Sequence, residues 1–128
     1  MNNNILIIED NEQNLYLVTF LLGQSGFRNT AARSGPEGIE LAGRIKPDLI
    51  LLDIQLPVMD GYAVARELRL NPSLRDVPIV AVTSYAMVGD RERALEAGCV
   101  GYIEKPINPA TFVTEIMRYL PECKKIND

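Results

Sequence analysis

The run Leu49-Ile50-Leu51-Leu52-Asp53 places four large apolar residues in succession directly before an aspartate. The chain enters this run through Lys46-Pro47-Asp48, and the proline cannot continue a preceding helix. A short apolar run without alternation is typical of a strand that is buried on both faces of a parallel sheet. This stretch therefore predicts a central strand that carries Asp53 at its carboxyl end.

Similar segments lie on both sides of that strand along the chain. Apolar runs at residues 5–8, 79–82 and 100–103 predict three further strands, and the more polar residues 27–33 predict an edge strand. Helical patterns lie between them, at residues 12–25, 35–45, 62–70, 87–97 and 109–120. Strands that alternate with helices predict an α/β fold of the (βα)5 type, a doubly wound parallel sheet of five strands with helices on both faces.

Local signals mark several of the predicted helix ends. Ser34 and Glu37 have the spacing of a capping box at the start of the second helix. Gly98 follows the fourth helix and is predicted to adopt the left-handed conformation that ends many helices. The pair Asn108-Pro109 predicts the start of the last helix.

Length and composition limit the classes of protein to which the chain can belong. Its 128 residues suffice for one domain, which we predict at residues 1–121, with residues 122–128 as a short tail. The 13 basic and 17 acidic residues give a net charge of −4, which argues against nucleic acid as a partner. Histidine is absent, which excludes Ser-His-Asp triads and His-ligated metals. The apolar runs are far shorter than a membrane span and no signal peptide is evident, so we expect a cytoplasmic domain without membrane contacts.

The predicted strand ends carry an unusual set of acidic residues. Glu9 and Asp10 follow the first strand, and Asp53 ends the third. Ligands of open α/β sheets bind beyond the carboxyl ends of the strands, so these side chains should meet at one site. Three carboxylates at one site repel one another unless a cation joins them, and oxygen ligands favour Mg²⁺ or Mn²⁺. The competing interpretation, solvated loop residues or helix caps, is reasonable for Asp10 alone but not for the whole set.

The side chains at these strand ends are also compatible with transfer of a phosphoryl group. The sequence contains neither a P-loop nor a dinucleotide-binding glycine motif, and its first loop is acidic. Lys105 supplies a positive charge after the fifth strand, and Thr83 supplies a hydroxyl donor after the fourth. A carboxylate that faces a metal and a lysine is a reasonable nucleophile towards phosphorus, and Asp53 is the best candidate.

Together these residues resemble the receiver domain of two-component response regulators, the CheY-like family. The resemblance covers about residues 4–120. It rests on five motifs in order: Glu9-Asp10-Asn11, Asp53-Ile54-Gln55-Leu56-Pro57, Asp60-Gly61, Thr83-Ser84, and Lys105-Pro106 after Tyr102. The resemblance implies a flavodoxin-like sheet with strand order 2-1-3-4-5, and a cis peptide bond between Lys105 and Pro106.

The resemblance also implies a phosphoryl acceptor and a set of metal ligands. Asp53 would be the phospho-acceptor and would contact Mg²⁺. Asp10 would be a direct metal ligand, and Glu9 would act largely through water. The backbone carbonyl of Gln55 would complete the contacts that the protein makes with the metal.

Four further residues take roles from the resemblance. Lys105 would pair with the phosphoryl oxygens, and Thr83 would move to bond one of them. Ser84, which stands where many relatives have alanine, would also contact the phosphoryl group. Tyr102 would be the switch aromatic that turns inward behind Thr83.

The expected function is that of a phosphorylation-activated switch rather than an enzyme. It would take a phosphoryl group from a phosphohistidine of a sensor kinase or phosphotransfer protein, and it would catalyse its own phosphotransfer and dephosphorylation. Its downstream protein target would bind the face formed by helix 87–97, strand 100–104 and helix 109–120. We expect a stand-alone regulator, and the alternative is a receiver excised from a hybrid histidine kinase.

Three other functions are less compatible with the residues. An aspartate-nucleophile phosphohydrolase needs a second aspartate two residues after the nucleophile, where this chain has Gln55. A flavodoxin-like cofactor binder is disfavoured by the acidic first loop and by the absence of tryptophan. A docking module that works without phosphorylation would not need the complete acidic set with Lys105.

Overall fold

Five strands form one parallel sheet in the computed structural model, which describes residues 3–84 and 89–120. The strands are β1 (Asn4–Ile8), β2 (Arg28–Ala32), β3 (Leu49–Asp53), β4 (Ile79–Thr83) and β5 (Gly101–Glu104). Their order across the sheet is β2-β1-β3-β4-β5, which confirms the expected α/β topology with β3 at the centre. Asp53 pairs with Val82, and Thr83 pairs with Glu104, so the carboxyl ends of the strands lie at one edge.

Two hydrophobic cores cover the two faces of the sheet. The side chains of a strand alternate between faces, so Ile5 and Ile7 join one core while Leu6 and Ile8 join the other. Every residue of β3 is buried, because this strand has neighbours on both edges and helices on both faces. The continuous apolar runs in the sequence therefore reflect burial on both faces, as predicted.

In the described residues, four α-helices connect successive strands, a fifth follows β5, and all five supply apolar side chains to these cores. They are α1 (Glu12–Gln24), α2 (Gly35–Ile45), α3 (Gly61–Leu70), α4 (Asp90–Ala97) and α5 (Phe112–Met117). Helices α1 and α5 pack on one face of the sheet, and α2, α3 and α4 pack on the other. Of the helices in the described ranges, none is long and apolar enough to cross a membrane.

Most of the predicted helix ends agree with the structure. Ser34 caps α2, because its hydroxyl oxygen accepts the Glu37 N–H at 3.3 Å. In a standard capping box the Glu37 carboxylate would accept the Ser34 N–H. Here it accepts the Arg33 N–H instead, at 2.8 Å. Gly98 ends α4 with a φ of 109°, in the predicted left-handed conformation. Helix α4 begins at Asp90, and the first two residues of its predicted range, 87 and 88, lie outside the described residues.

The prediction of a last helix over residues 109–120 is wrong at both ends. Asn108 starts a turn, because its carbonyl accepts the Thr111 and Phe112 N–H groups at 3.1 and 2.9 Å. The regular helix begins only at Phe112 and ends at Met117. Backbone bonds from residues 118–120 reach back three residues, which tightens the last turn beyond the α-helical pattern.

Candidate functional site

Three carboxylates meet beyond the carboxyl ends of β1 and β3. Carboxylate oxygens of Glu9, Asp10 and Asp53 all lie within 4.8 Å of one another. Glu9 and Asp53 are buried, with 4% and 3% of their surface exposed, whereas Asp10 is exposed. The acidic cluster therefore has a buried floor and an opening to solvent on the side of Asp10, as the strand ends predict.

Lys105 supplies a positive charge to this acidic cluster. Its Nζ lies 3.0 Å from Glu9 Oε1 and 3.4 Å from Asp53 Oδ1. The Lys105 N–H donates to the Thr83 carbonyl at 2.7 Å, which ties the lysine to the end of β4. The peptide bond between Lys105 and Pro106 is cis, which confirms the expectation from the resemblance. One ammonium group thus faces two buried carboxylates, and an exposed third carboxylate lies beside them.

The pKa of Glu9 reflects its burial beside a second carboxylate. Burial raises the pKa of Glu9, the hydrogen bond and negative charge of Asp53 add to the shift, and the resulting pKa is about 7. Lys105 lowers the pKa of Glu9, as does the Asn11 N–H, which donates to Glu9 Oε2 at 3.2 Å. A cation near these oxygens would favour the ionised carboxylate. The three carboxylates offer only oxygen donors, which fit a hard cation such as Mg²⁺.

Gln55 and Ser84 form a hydrogen-bonded connection beside Asp53. The Gln55 N–H donates to Asp53 Oδ1 at 3.1 Å, in the loop that follows β3. The Gln55 side-chain Oε1 accepts the Ser84 N–H at 3.3 Å, from the residue that follows β4. Thr83, which precedes Ser84, is buried with 2% exposed surface. The structure thus brings Gln55, Thr83 and Ser84 next to the acidic cluster, although no pattern in the sequence indicated the Gln55 side-chain bond.

The loop that carries Gln55 is held close to β3 by the start of α3. The Gly61 N–H donates to the Ile54 carbonyl at 2.9 Å. A Cβ at position 61 would lie 2.5 Å from Ile54 Cα and 2.7 Å from the Asp53 carbonyl oxygen, so only glycine fits this close approach. Gly61 therefore fixes the path of the chain between Asp53 and α3.

Tyr102 lies on β5 and packs against the core on the α2, α3 and α4 side.

On the same side, Tyr62, Asp90 and Arg93 form a cluster of polar side chains near Tyr102 that the sequence analysis missed. The Tyr62 hydroxyl donates to Asp90 Oδ1 at 3.5 Å, and the Arg93 guanidinium lies 4.4 Å from the centre of the Tyr62 ring. Burial raises the pKa of Tyr102, and the negative charge of Asp90 adds to the shift. No sequence motif could identify this group, because its members come from two helices and a strand.

Comparisons with known proteins agree on the class of protein. The family model for the response regulator receiver domain matches residues 5–117. The polar-differentiation response regulator DivK of Brucella ovis is 44% identical over 123 residues, which is 96% of this chain and 100% of that protein. The chain therefore belongs to the response regulator receiver domain family, a family of signalling domains rather than of enzymes, and the phosphohydrolase alternative is set aside.

Solved structures support the same assignment. The receiver domain of a sensor histidine kinase from Pseudomonas aeruginosa PAO1 is 38% identical to this chain, with a TM-score of 0.86. The match covers 94% of this chain and 98% of that one, and the structure of that relative has a magnesium ion coordinated in its active-site cleft. The BeF3-activated receiver domain of Klebsiella pneumoniae RstA is 32% identical, with a TM-score of 0.83 and coverage of 93% and 99%. The chemotaxis protein CheY4 of Vibrio cholerae has a TM-score of 0.90 at 24% identity, over 94% and 100% of the two chains, which bears on the fold alone.

Proposed function

We propose that Asp53 accepts a phosphoryl group from a phosphohistidine of a sensor kinase or phosphotransfer protein, and that this modification switches the domain. The observation that carries the proposal is a buried Asp53 carboxylate that has Lys105 Nζ at 3.4 Å and two further carboxylates within 4.8 Å. An Asp53 carboxylate oxygen would attack phosphorus while the phosphorus–nitrogen bond breaks, and the imidazole nitrogen would keep the electron pair.

A divalent cation fits the same oxygens. Asp10 and Asp53 would bind Mg²⁺ or Mn²⁺ directly, the Gln55 carbonyl would complete the protein ligands, and Glu9 would contribute largely through water. The oxygen donors, the raised pKa of Glu9 and the magnesium-bound Pseudomonas relative support this assignment. Bound Mg²⁺ would offset the negative charge that the carboxylates and the phosphoryl oxygens bring together.

The remaining residues of the site would hold the phosphoryl group and report its presence. Lys105 would pair with a phosphoryl oxygen, because its ammonium already lies beside Asp53. The Thr83 hydroxyl and the Ser84 N–H would contact the other oxygens. Displacement of Thr83 would open space into which the Tyr102 ring turns from the neighbouring strand. Hydrolysis of the acyl phosphate by water would return the domain to its first state.

The proposed partner surface includes α4, β5 and α5. A cavity of about 400 Å³ lies on this face, and its lining includes Arg91, Tyr102, Glu104 and Phe112. Because Tyr102 lines this cavity, its movement would change the surface that a downstream protein contacts.

We propose that the receiver domain occupies residues 1–121 and that residues 122–128 form a tail. Relatives of two organisations match this chain, because the match covers the full length of DivK while the Pseudomonas relative is a domain of a sensor kinase. The intact mass of the protein purified from its host would distinguish a stand-alone regulator from a receiver within a hybrid kinase.

Labelling with acetyl phosphate and Mg²⁺ tests the phospho-acceptor. We expect one added phosphoryl group by intact mass in the parent protein and none in Asp53→Asn. Asp60→Asn is the matched control, because Asp60 caps α3 and asparagine caps helices equally well, so this variant should be labelled like the parent. A phosphoryl group that persists in Asp53→Asn would refute the proposal.

A further inference from the structure

The side chain of Gln55 connects two loops that lie beside Asp53. Its Oε1 accepts the Ser84 N–H at 3.3 Å across a sequence separation of 29 residues. The backbone N–H of the same residue donates to Asp53 Oδ1 at 3.1 Å. Gln55 thus contacts both the proposed phospho-acceptor and the residue after Thr83. The two contacts use different parts of the residue, the backbone for Asp53 and the side chain for Ser84.

The Ser84 N–H is a single donor with two prospective acceptors. A backbone N–H makes one strong hydrogen bond, and the proposed function requires this N–H to contact a phosphoryl oxygen. While Gln55 Oε1 accepts the bond, the donor is not available to that oxygen. The phosphoryl group must therefore displace the Gln55 amide before it makes all of its contacts.

We infer that Gln55 is a positioning residue whose side-chain amide competes with the phosphoryl group for the Ser84 N–H and so opposes the switched state. This inference rests on the proposed function, because it needs a phosphoryl group on Asp53. Removal of the amide should make the phosphoryl-bound state easier to reach. A hydrogen bond between exposed groups has a modest net strength, so the expected gain in affinity for a phosphoryl analogue is about two- to fivefold.

The metal site separates this role from a general structural one. Only the backbone carbonyl of Gln55 would face the cation, and that group is present in every substitution. A change in the side chain should therefore alter the binding of a phosphoryl analogue while the affinity for Mg²⁺ stays the same. A loop that had lost its structure would change both affinities, because the Gln55 carbonyl and Asp53 would be displaced together.

The experiment compares the parent with Gln55→Met, which keeps a side chain of similar length and removes the amide. Beryllofluoride is titrated into each protein at saturating Mg²⁺, and Mg²⁺ is titrated alone, with amide NMR spectra as the readout. Asp60→Asn is the matched control, because Asp60 caps α3 after the same loop and asparagine keeps the cap. Gln55→Glu keeps an acceptor and adds negative charge, so it should bind beryllofluoride more weakly than the parent.

Support would be a two- to fivefold tighter beryllofluoride affinity in Gln55→Met, with Mg²⁺ affinity unchanged and Asp60→Asn equal to the parent. An equal or weaker beryllofluoride affinity in Gln55→Met would overturn the inference and leave the proposed function standing. If the parent itself binds no beryllofluoride in the presence of Mg²⁺, the proposed function and the inference both fail.

Discussion

Glu9 is a buried carboxyl group whose ionised form needs nearby positive charge. Its pKa is about 7 because burial and Asp53 disfavour the ionised form. In the unfolded chain the carboxyl titrates near its ordinary value of 4.5. The folded state therefore binds more protons than the unfolded state between these values, and stability falls as the pH rises through this window.

We expect Glu9→Gln to flatten this pH dependence. In buffer without divalent cations, the contribution of Glu9 in the parent is fully present below pH 4.5 and is lost as the pH rises through about 7. The loss amounts to about 3 kcal/mol at most. Urea denaturation at several pH values measures it, with Glu40→Gln on the exposed side of α2 as a control that keeps the parent slope. An unchanged slope in Glu9→Gln would show that another group is responsible.

Asp10 is the exposed member of the acidic cluster, and its removal tests the metal site. Asp10→Asn should weaken Mg²⁺ binding at least tenfold, since it removes a carboxylate whose charge the cation offsets. Isothermal titration calorimetry measures the affinity, and Asp60→Asn should bind like the parent. Equal affinities in Asp10→Asn and the parent would make Asp10 an ordinary loop residue.

At the residue scale, sequence analysis identified side chains that end strands. Glu9, Asp53 and Lys105 could be predicted to meet, because strand ends are visible in the apolar runs and parallel strands end at one edge. The bond between the Gln55 side chain and Ser84 could not be predicted, because rotamers in loops depend on the packed structure.

Arg69 joins three elements at the edge of the sheet opposite the acidic cluster. Its guanidinium donates to the carbonyls of Gly98, Leu74, Arg75 and Val77 at 2.8–3.1 Å. These contacts hold the end of α3, the short 3-10 helix Pro72–Leu74 and the end of α4 together. Burial lowers the pKa of Arg69, and the carbonyls supply the hydrogen-bond acceptors that a partly buried guanidinium needs.

Arg69→Lys should destabilise the fold by about 2 kcal/mol, because an ammonium group cannot reach all of these carbonyls at once. Urea denaturation gives the free energy of unfolding, and Arg66→Lys, an exposed position on the same helix, should leave it nearly unchanged. Phosphorylation by acetyl phosphate should be retained in both variants, because Arg69 and Asp53 lie at opposite edges of the sheet. A loss below about 0.5 kcal/mol in Arg69→Lys would contradict this account.

Thr83 and Tyr102 belong to adjacent strands, and the proposed switch requires coupling between them. Thr83→Ala should keep phosphorylation of Asp53 while it reduces the amide NMR changes that beryllofluoride causes in β5 and α5. Thr30→Ala, in β2 at the other edge of the sheet, should show the full response. If Thr83→Ala shows the same changes as the parent, the coupling does not pass through this hydroxyl.

At the element scale, apolar periodicity located the strands and most helices but not all of their ends. Helix α5 is shorter than predicted because the turn that begins at Asn108 and the tightened turn after Met117 satisfy backbone groups in other ways. Such turns depend on backbone geometry that apolar spacing does not record. The resemblance, rather than the periodicity, supplied the order of the strands.

For the whole molecule, the two sides of the sheet contribute differently to the site. The face covered by α1 and α5 contributes Ile5, Ile7 and Leu51 to one core, while the other core includes the half-buried Tyr102. The acidic cluster lies where both cores end, at the carboxyl edge of β1 and β3. The charges at this edge therefore lie beside packed side chains of both cores.

The close approach of Gly61 to β3 has a thermodynamic consequence for ligand binding. The hydrogen bond from the Gly61 N–H to the Ile54 carbonyl closes the loop of residues 54–61. Gly61 lies so close to Ile54 and to the Asp53 carbonyl that the loop has no space to shift towards β3. The conformational entropy of this loop is therefore lost when the domain folds, not when a ligand arrives. In the proposed metal site, a cation that binds Asp53 and the Gln55 carbonyl would therefore find them pre-organised, and more of its interaction energy would be retained as affinity.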